Sequence, residues 1–337
     1  MLWYENSDSN IAISTRVRLA RNIQNIPFTS SLDNKKLKET CRMICNSILS
    51  CDLFGIKLRE IEMESLGDIE VYAMLERHCI SPKFAEKRDG RILLLSDDES
   101  ISIMIGEEDH IRIQVLKPGI RLDEAYKLCD KIDTSISQKL EFAFNDKFGY
   151  LTECPTNVGT GMRASVMLHL PLLEKLGKLR TIARTCNEVG LTIRGFYGEG
   201  SDSKASIYQL SNQVTLGVTE KDSIEKLKSI ANSIIKKEIE ELNNFDLNKL
   251  EDTVCRYFGV LKYARSISTD EMMKYVTYLM LGCRAGVIKL PESFSLMNIF
   301  ITMQPAMIKR IYGDITPSER DKLRADSIRR MLSNIDI

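Results

Sequence analysis

The chain has only three histidines, His78, His110 and His169, and none of its nine cysteines stands in a CxxC pair. That scarcity argues against a zinc ribbon or CxxC redox chemistry, and an odd cysteine count argues against a complete disulfide framework. No apolar run reaches the roughly 18 residues of a membrane span. The N-terminal MLWYENSDSN lacks the basic stretch and apolar block of a secretion signal, so a cytoplasmic protein is expected. An excess of charge is missing too: 47 basic side chains stand against 47 acidic ones. The molecule therefore has no long-range field to draw it to nucleic acid or an anionic membrane, and a charged ligand has to be held by a local cluster. Internal repeats and low-complexity tracts are also absent, which excludes solenoids and linkers.

What remains is an ordinary globular composition, 43% hydrophobic and 28% charged over 337 residues, enough for about two domains. Periodicity predicts amphipathic helices over Lys35–Ser50 and Asp123–Lys139, and strands over Arg91–Ser96, Ser100–Gly106 and His110–Lys117. The short link GEED joins two of those strands as a hairpin, which favours an α+β fold with an antiparallel sheet over a doubly wound one. A long helix follows, opened by Thr219 and Asp222 as a capping box, with Ile224, Leu227, Ala231, Ile234, Ile235, Ile239 and Leu242 on one face. Beyond Asn243–Asn248 strand signals vanish and helical periodicity dominates, as in Glu271–Leu281 and Ser318–Leu332. The expected division is a mixed domain over 1–240 and an all-helical domain over 241–337. Cys41 and Cys45 share a helix face and read as small buried side chains.

Four segments carry chemistry. In IAISTRVRLARN, strand alternation puts Ser14, Arg16 and Arg18 on one face and Ile13, Val17 and Leu19 on the other. In GEEDHIRIQV, Glu108, His110 and Arg112 share one face, and three consecutive acids, Glu107, Glu108 and Asp109, precede the strand. Acids so crowded repel one another unless a metal, a cationic substrate or arginines supply counter-charge; an exposed acidic turn is the plain alternative. GYLTECPTNVGTGMRAS places Cys154 before proline, then a loop with Gly159 and Gly161, then Arg163 opening a helix. Such a loop suits an anion or is a tight structural turn, and a cysteine near a helix N-terminus can be a thiolate or simply packed. LTIRGFYGEGSDS ends a strand at Arg194 and sets Glu199 among glycines that permit a closing lid. Together, arginines 16, 18, 112, 163 and 194 can clamp a polyphosphate while Glu108 and Glu199 handle a cationic acceptor, the composition for phosphoryl transfer to a guanidinium or amine.

STRVRLARN, EEDHIRIQ, CPTNVGTGMRAS, RGFYGEGS and YQLSNQVTLG, in that order over about residues 10 to 220, resemble the phosphagen (ATP:guanidino) kinase family, in its bacterial protein-arginine-phosphorylating spelling. The resemblance implies a catalytic domain with a curved antiparallel sheet flanked by helices that binds ATP with Mg²⁺. By motif position, nucleotide contacts fall to Ser14, Thr15, Arg16, Val17 and Arg18, to His78, to Arg112, to Arg163, Ala164, Ser165, Val166 and Met167, and to Arg194, Gly195, Phe196, Tyr197, Gly198 and Glu199. Glu107 and Asp109 hold waters of the Mg²⁺ shell, with no direct protein ligand to the metal. Glu108 stands at the family's catalytic glutamate, Glu199 flanks the acceptor guanidinium, and Cys154, as a thiolate, orients it.

Position 106 is glycine where creatine and arginine kinases have asparagine. Those small-molecule kinases also carry a helical domain ahead of the STRVR segment, whereas here the sequence starts a short way before it. The expectation is an open acceptor side that suits an arginine on a protein surface. In PSERDKLRADSIRR, Ser318 is the expected helix cap, and Arg320, Asp321, Arg324 and Ala325 match an RDxxRA motif that implies an allosteric phosphoarginine pocket, with Arg320 and Arg324 on the phosphate. Read without the family, the same stretch is a charged helix face. The resemblance further implies protein substrates with exposed arginines, a zinc-containing activator of the McsA type, a ClpC/ClpP-type protease downstream, a homodimer and a stress-response role. A kinase for free arginine or another small guanidine, and a non-catalytic phosphoarginine-binding adaptor, are the alternatives.

Overall fold

The computed structural model describes residues 2, 4, 11–195, 205–291, 294–335 and 337. The chain opens with β1 (Ala12–Arg21), α1 (Asn34–Leu49), β2 (Leu58–Glu62), α2 (Asp68–Glu76) and α3 (Pro82–Glu86). The hairpin strands β3 (Ile92–Ser96), β4 (Ile101–Ile105) and β5 (Ile111–Pro118) follow, then α4 (Leu122–Ser137) and a small ribbon of β6 (Phe144–Asn145) and β7 (Gly149–Tyr150). Next come β8 (Met162–His169), α5 (Pro171–Lys175), α6 (Leu179–Glu188), β9 (Leu191–Gly195) and β10 (Ile207–Asn212). The long α7 (Glu220–Asn243) leads into α8 (Leu247–Tyr263), α9 (Thr269–Arg284), α10 (Leu296–Thr302), α11 (Pro305–Tyr312) and α12 (Pro317–Met331). Apart from the helix expected to open at Arg163, the predicted elements lie within a few residues of the observed ones.

Eight strands form one antiparallel sheet in the order β2-β3-β4-β5-β1-β8-β10-β9. Because side chains alternate, one face is almost wholly apolar. Val17, Leu19, Ile111, Ile113, Val115, Ala164, Val166 and Leu168 pack there against α1, α4 and α7, and Cys41 and Cys45 are buried in the same core. The opposite face is divided. At the β3–β4 side, Leu93, Leu95 and Met104 are covered by α2 and α3. At the far ends of β1, β5, β8 and β10, Ile13, Leu116, Met167 and Ile207 join a second core with α8, α9, α10 and α12.

Four expectations change here. The stretch after the Gly-rich loop is strand β8, not a helix opened by Arg163; its β-branched and alternating pattern is satisfied by pairing with β1 and β10. Ile13 does not share a core with Val17 and Leu19, because the β1–β8 register shifts between Ala12 and Ser14 and Ile13 packs in the second core. On α7, Ile239 is exposed whereas Glu238 is buried, accepting from the amides of Leu172 and Leu173 at the start of α5. The last helix is capped by Thr316 in a capping box with Glu319, not by Ser318, since Pro317 occupies the first helical position. Thr219 caps α7 as expected, accepting from the Asp222 amide.

Candidate active site

Between the two apolar patches lies a polar strip across five strands. Direct opposition in the ladder aligns Arg16 with Leu116 and Ser165, Arg18 with Gln114 and Arg163, and Gln209 with Met167 and Arg194. Arg112 follows one step along β5 on the same face. Arg16, Arg18, Arg112 and Arg163 are close enough to disfavour each other's charge. Burial first, then Arg163 and Arg112, bring Arg16 down to about 10. Burial and Arg16, Arg112 and Arg163 lower Arg18 well below its usual value, against a smaller opposing pull from Glu107. Arg18 Nε is buried without a hydrogen-bond partner among the described residues. Arg16 and Arg18, set beside two further arginines with only Glu107 opposing them among the described residues, are an arrangement that a polyanion satisfies.

Thr15 and Val17 point to the other face, as do Ala164 and Val166, so only alternate residues of the two expected runs present side chains to the strip. Thr15 instead donates to Gly119 O and accepts from the Arg121 amide. Beside the arginines a small cavity is lined by Ser14, Arg16, His78, Leu116, Ser165, Met167 and Gln209. His78 sits at φ +61°, its carbonyl accepting from Gln114 Nε2 at 2.8 Å. Burial, then Arg16, lowers its pKa to about 3, so the imidazole is neutral at physiological pH.

The acidic triplet is not an exposed turn: Glu107 is 3% and Asp109 0% exposed. Asp109 Oδ1 accepts from Asn22 Nδ2 at 2.7 Å and the Glu153 amide at 2.9 Å. Burial raises its pKa, and these bonds oppose the rise. Glu107 accepts from Ser81 Oγ at 2.8 Å and pairs with Arg112 Nη1 at 2.6 Å. Glu108 is reached by Lys83 Nζ at 3.1 Å and Arg112 Nη2 at 3.6 Å. Burial pushes the Glu108 carboxyl up, but Lys83, Arg112 and a hydrogen bond from Cys154 outweigh it and the pKa falls below the usual value. His110 does not join this group; its ring lies between the Ile23 amide and Pro27 O, at 3.0 and 2.9 Å.

Cys154 stands before a single 3₁₀ turn, Pro155–Asn157, rather than an α-helix, with Sγ 3.0 Å from Thr156 Oγ1. The glycines after it answer to backbone packing. A Cβ on Gly159 (φ +113°) would lie 2.2 Å from Thr215 O, and one on Gly161 (φ +62°) 2.6 Å from Ala20 O. Gly106 has the same kind of reason: φ is +84°, and a Cβ there would lie 2.4 Å from Cys41 Sγ. Arg194 and Gly195 end β9; Phe196, Tyr197, Gly198 and Glu199 lie outside the described residues.

In the tail, Asp321 and the buried Ala325 share α12 with Arg320 and Arg324. Arg324 departs from the expected phosphate contact. It is 0% exposed, and its guanidinium donates to Met303 O, Ile267 O, Thr269 Oγ1 and Asp321 Oδ1. Arg320 is the accessible arginine of the pair, 3.7 Å from Asp321.

Sequence reasoning missed Gln209, Gln114, Asn22, Ser81 and Lys83. The period-two pattern of YQLSN, which sets Gln209 and Ser211 opposite Leu210, was the available signal for the first. Asn22, Ser81 and Lys83 lie on loops and a short helix that no periodicity places beside the acids.

The sheet and its arginine strip define a guanidino-phosphotransferase type of catalytic domain, and residues 41–241 match the family described as ATP:guanido phosphotransferase, C-terminal catalytic domain. Residues 247–336 match the protein-arginine kinase McsB C-terminal domain. The chain belongs to the protein-arginine kinases of the ATP:guanido phosphotransferase family. It is 40% identical over 333 residues to a protein-arginine kinase of Halothermothrix orenii, covering 98% of this chain and 95% of that one. It is also 40% identical to a protein-arginine kinase of Bacillus subtilis, covering 96% and 91%. Among solved structures it is similar to the substrate-free duplicated taurocyamine kinase from Schistosoma mansoni, with a TM-score of 0.61 and 25% identity over 81% of this chain and 40% of that one. The lombricine kinase structure has the same fold at a TM-score of 0.61 and 22% identity, over 74% of this chain and 71% of that one.

Proposed function

We propose that this enzyme transfers the γ-phosphoryl group of ATP to the guanidinium of arginine residues in proteins. The observation that carries the reading is the abutment of two opposed clusters: arginines 16, 18, 112 and 163 on one sheet face, and Glu108 held 3.6 Å from Arg112 at the edge of that strip. A guanidinium, with a pKa above about 12, is a poor nucleophile until a nitrogen loses its proton and is aligned with the γ-phosphorus. Glu108, ionised at neutral pH, accepts that proton. The nitrogen then forms the N–P bond as the bond from the γ-phosphorus to the ADP oxygen breaks. Cys154 and Glu199 orient the guanidinium, and the arginines meet the negative charge of the phosphates, so positioning and electrostatics supply most of the rate.

Ser14, His78, Arg194 and the strip residues of β8 bind the nucleotide. Asp109 Oδ2, buried and without a hydrogen-bond partner among the described residues, fits an acceptor for a metal-bound water, and Glu107 is the second such carboxylate. Mg²⁺, when bound, neutralises phosphate charge. Arg320 and Asp321 form the regulatory phosphoarginine contact, while Arg324 and Ala325 hold its frame. No described helix is long and apolar enough to cross a membrane. A cytoplasmic homodimer that marks stress-damaged proteins for a ClpC/ClpP-type protease, with an McsA-type activator, completes the reading.

Incubation with MgATP and casein, followed by mass spectrometry under conditions that preserve acid-labile phosphoarginine, tests the activity. Wild type yields phosphoarginine and Glu108→Gln loses it by about a hundredfold or more. No product from wild type overturns the reading, and full activity in Glu108→Gln overturns the choice of base.

A further inference from the structure

Glu108, the carboxylate assigned above to the incoming guanidinium, already holds a cation of the chain's own. Lys83, in the first turn of α3, places Nζ 3.1 Å from Glu108 Oε2. The two cations at Glu108 differ in what they can do. Arg112 is committed elsewhere, its side chain 11% exposed and its Nη1 2.6 Å from Glu107. The Lys83 side chain is 69% exposed and, among the described residues, has no other ion pair or hydrogen bond. It is anchored at its base by the Ser81-capped α3, whose Ser81 hydroxyl also donates to Glu107, so its reach to the acids is fixed while its head lies in solvent.

We propose that Lys83 is a displaceable occupant of the acceptor site, a competitor built into the chain that any incoming cationic side chain has to replace. An exposed lysine–carboxylate pair is weak, so it can be broken by a better ligand at little cost. An arginine offers a planar fork that matches a carboxylate bidentately, and this gain exceeds what the pair provided. A substrate lysine offers the same point charge that Lys83 supplies and gains nothing by replacing it. The competitor raises the binding threshold for both ligands alike, and only the guanidinium has the bidentate contact that offsets it.

This inference rests on Glu108 being the acceptor carboxylate, and the test separates the two. Lys83→Met is compared with wild type and Lys83→Arg on an arginine peptide, with Nα-acetyl-lysine amide as inhibitor. In Lys83→Met the peptide KM falls about two- to fivefold, in keeping with loss of an exposed pair, while the KM for ATP and kcat hold. Inhibition by the lysine amide strengthens by a similar factor. Lys83→Arg, a stronger occupant, raises the peptide KM. A peptide KM that is unchanged or higher in Lys83→Met, or lysine inhibition that does not strengthen, overturns the proposal. Glu108→Gln binding the peptide as tightly as wild type in a calorimeter would instead remove the reading beneath it.

Discussion

Gln209 Oε1 accepts a hydrogen bond from Arg16 Nη2 at 2.5 Å, across the β8 strand that separates their own strands. The amide fixes the head of an arginine whose nearest charged neighbours are other arginines, and it does so without neutralising it. Gln209 therefore presets the guanidinium for phosphate while leaving its full charge for the ligand.

Gln209→Ala releases that head. Loss of one hydrogen bond to a charged group, about 1.5 kcal/mol net or more, corresponds to a rise of about tenfold or more in the KM for ATP. Steady-state kinetics at varied ATP checks this, with a protein-substrate KM that stays unchanged.

The two arginines of the α12 motif part ways on substitution. Arg324→Ala strips bonds from the buried carbonyls of Met303 and Ile267 and from Thr269, and is expected to cost about 3 kcal/mol or more of stability, read as a lower denaturant midpoint. Arg320→Ala leaves the unfolding free energy within about 0.5 kcal/mol of wild type and removes the response of kinase activity to added phosphoarginine.

Stability should fall as the solution is acidified below about pH 6.5. His78, His110 and His169 all have pKa values lowered from 6.5 on folding, His78 to about 3. Burial is the first cause in each, reinforced by Arg16 at His78 and by Arg284 at His169 and opposed at His110 by Pro27 O. The unfolded chain thus binds protons that the folded one refuses. The stabilisation is fully present above the unfolded value and is lost progressively as pH falls toward each folded value, at a slope approaching about 1.4 kcal/mol per pH unit for each histidine. Asp109, Glu76 and Glu238, whose pKa values burial raises, oppose the trend only where carboxyls titrate. Thermal midpoints between pH 7.5 and 5.5 check the sign; a flat or rising profile on acidification contradicts it.

Strand alternation around Arg16, Arg18 and Arg112 was legible from sequence because a sheet with one apolar core face writes a period of two into the chain. The β8 stretch was misread as helical because HLPLL mixes the end of a strand with the start of α5 in one apolar run, and periodicity does not separate such short pieces. Ile13 escaped for a different reason: a shift in register leaves no trace in composition. The acids were recognised as needing counter-charge, but their partners, Ser81, Lys83 and Asn22, come from three separate stretches that only the folded chain unites.

The register shift at Ile13 has a mechanical meaning. One strand, β1, contributes Val17 and Leu19 to the core beneath the sheet and Ile13 to the core of the helical half, and Leu116, Met167 and Ile207 are lent across in the same way. Neither half can melt without stripping apolar surface from the other, so the chain has a shared unfolding barrier rather than two independent ones.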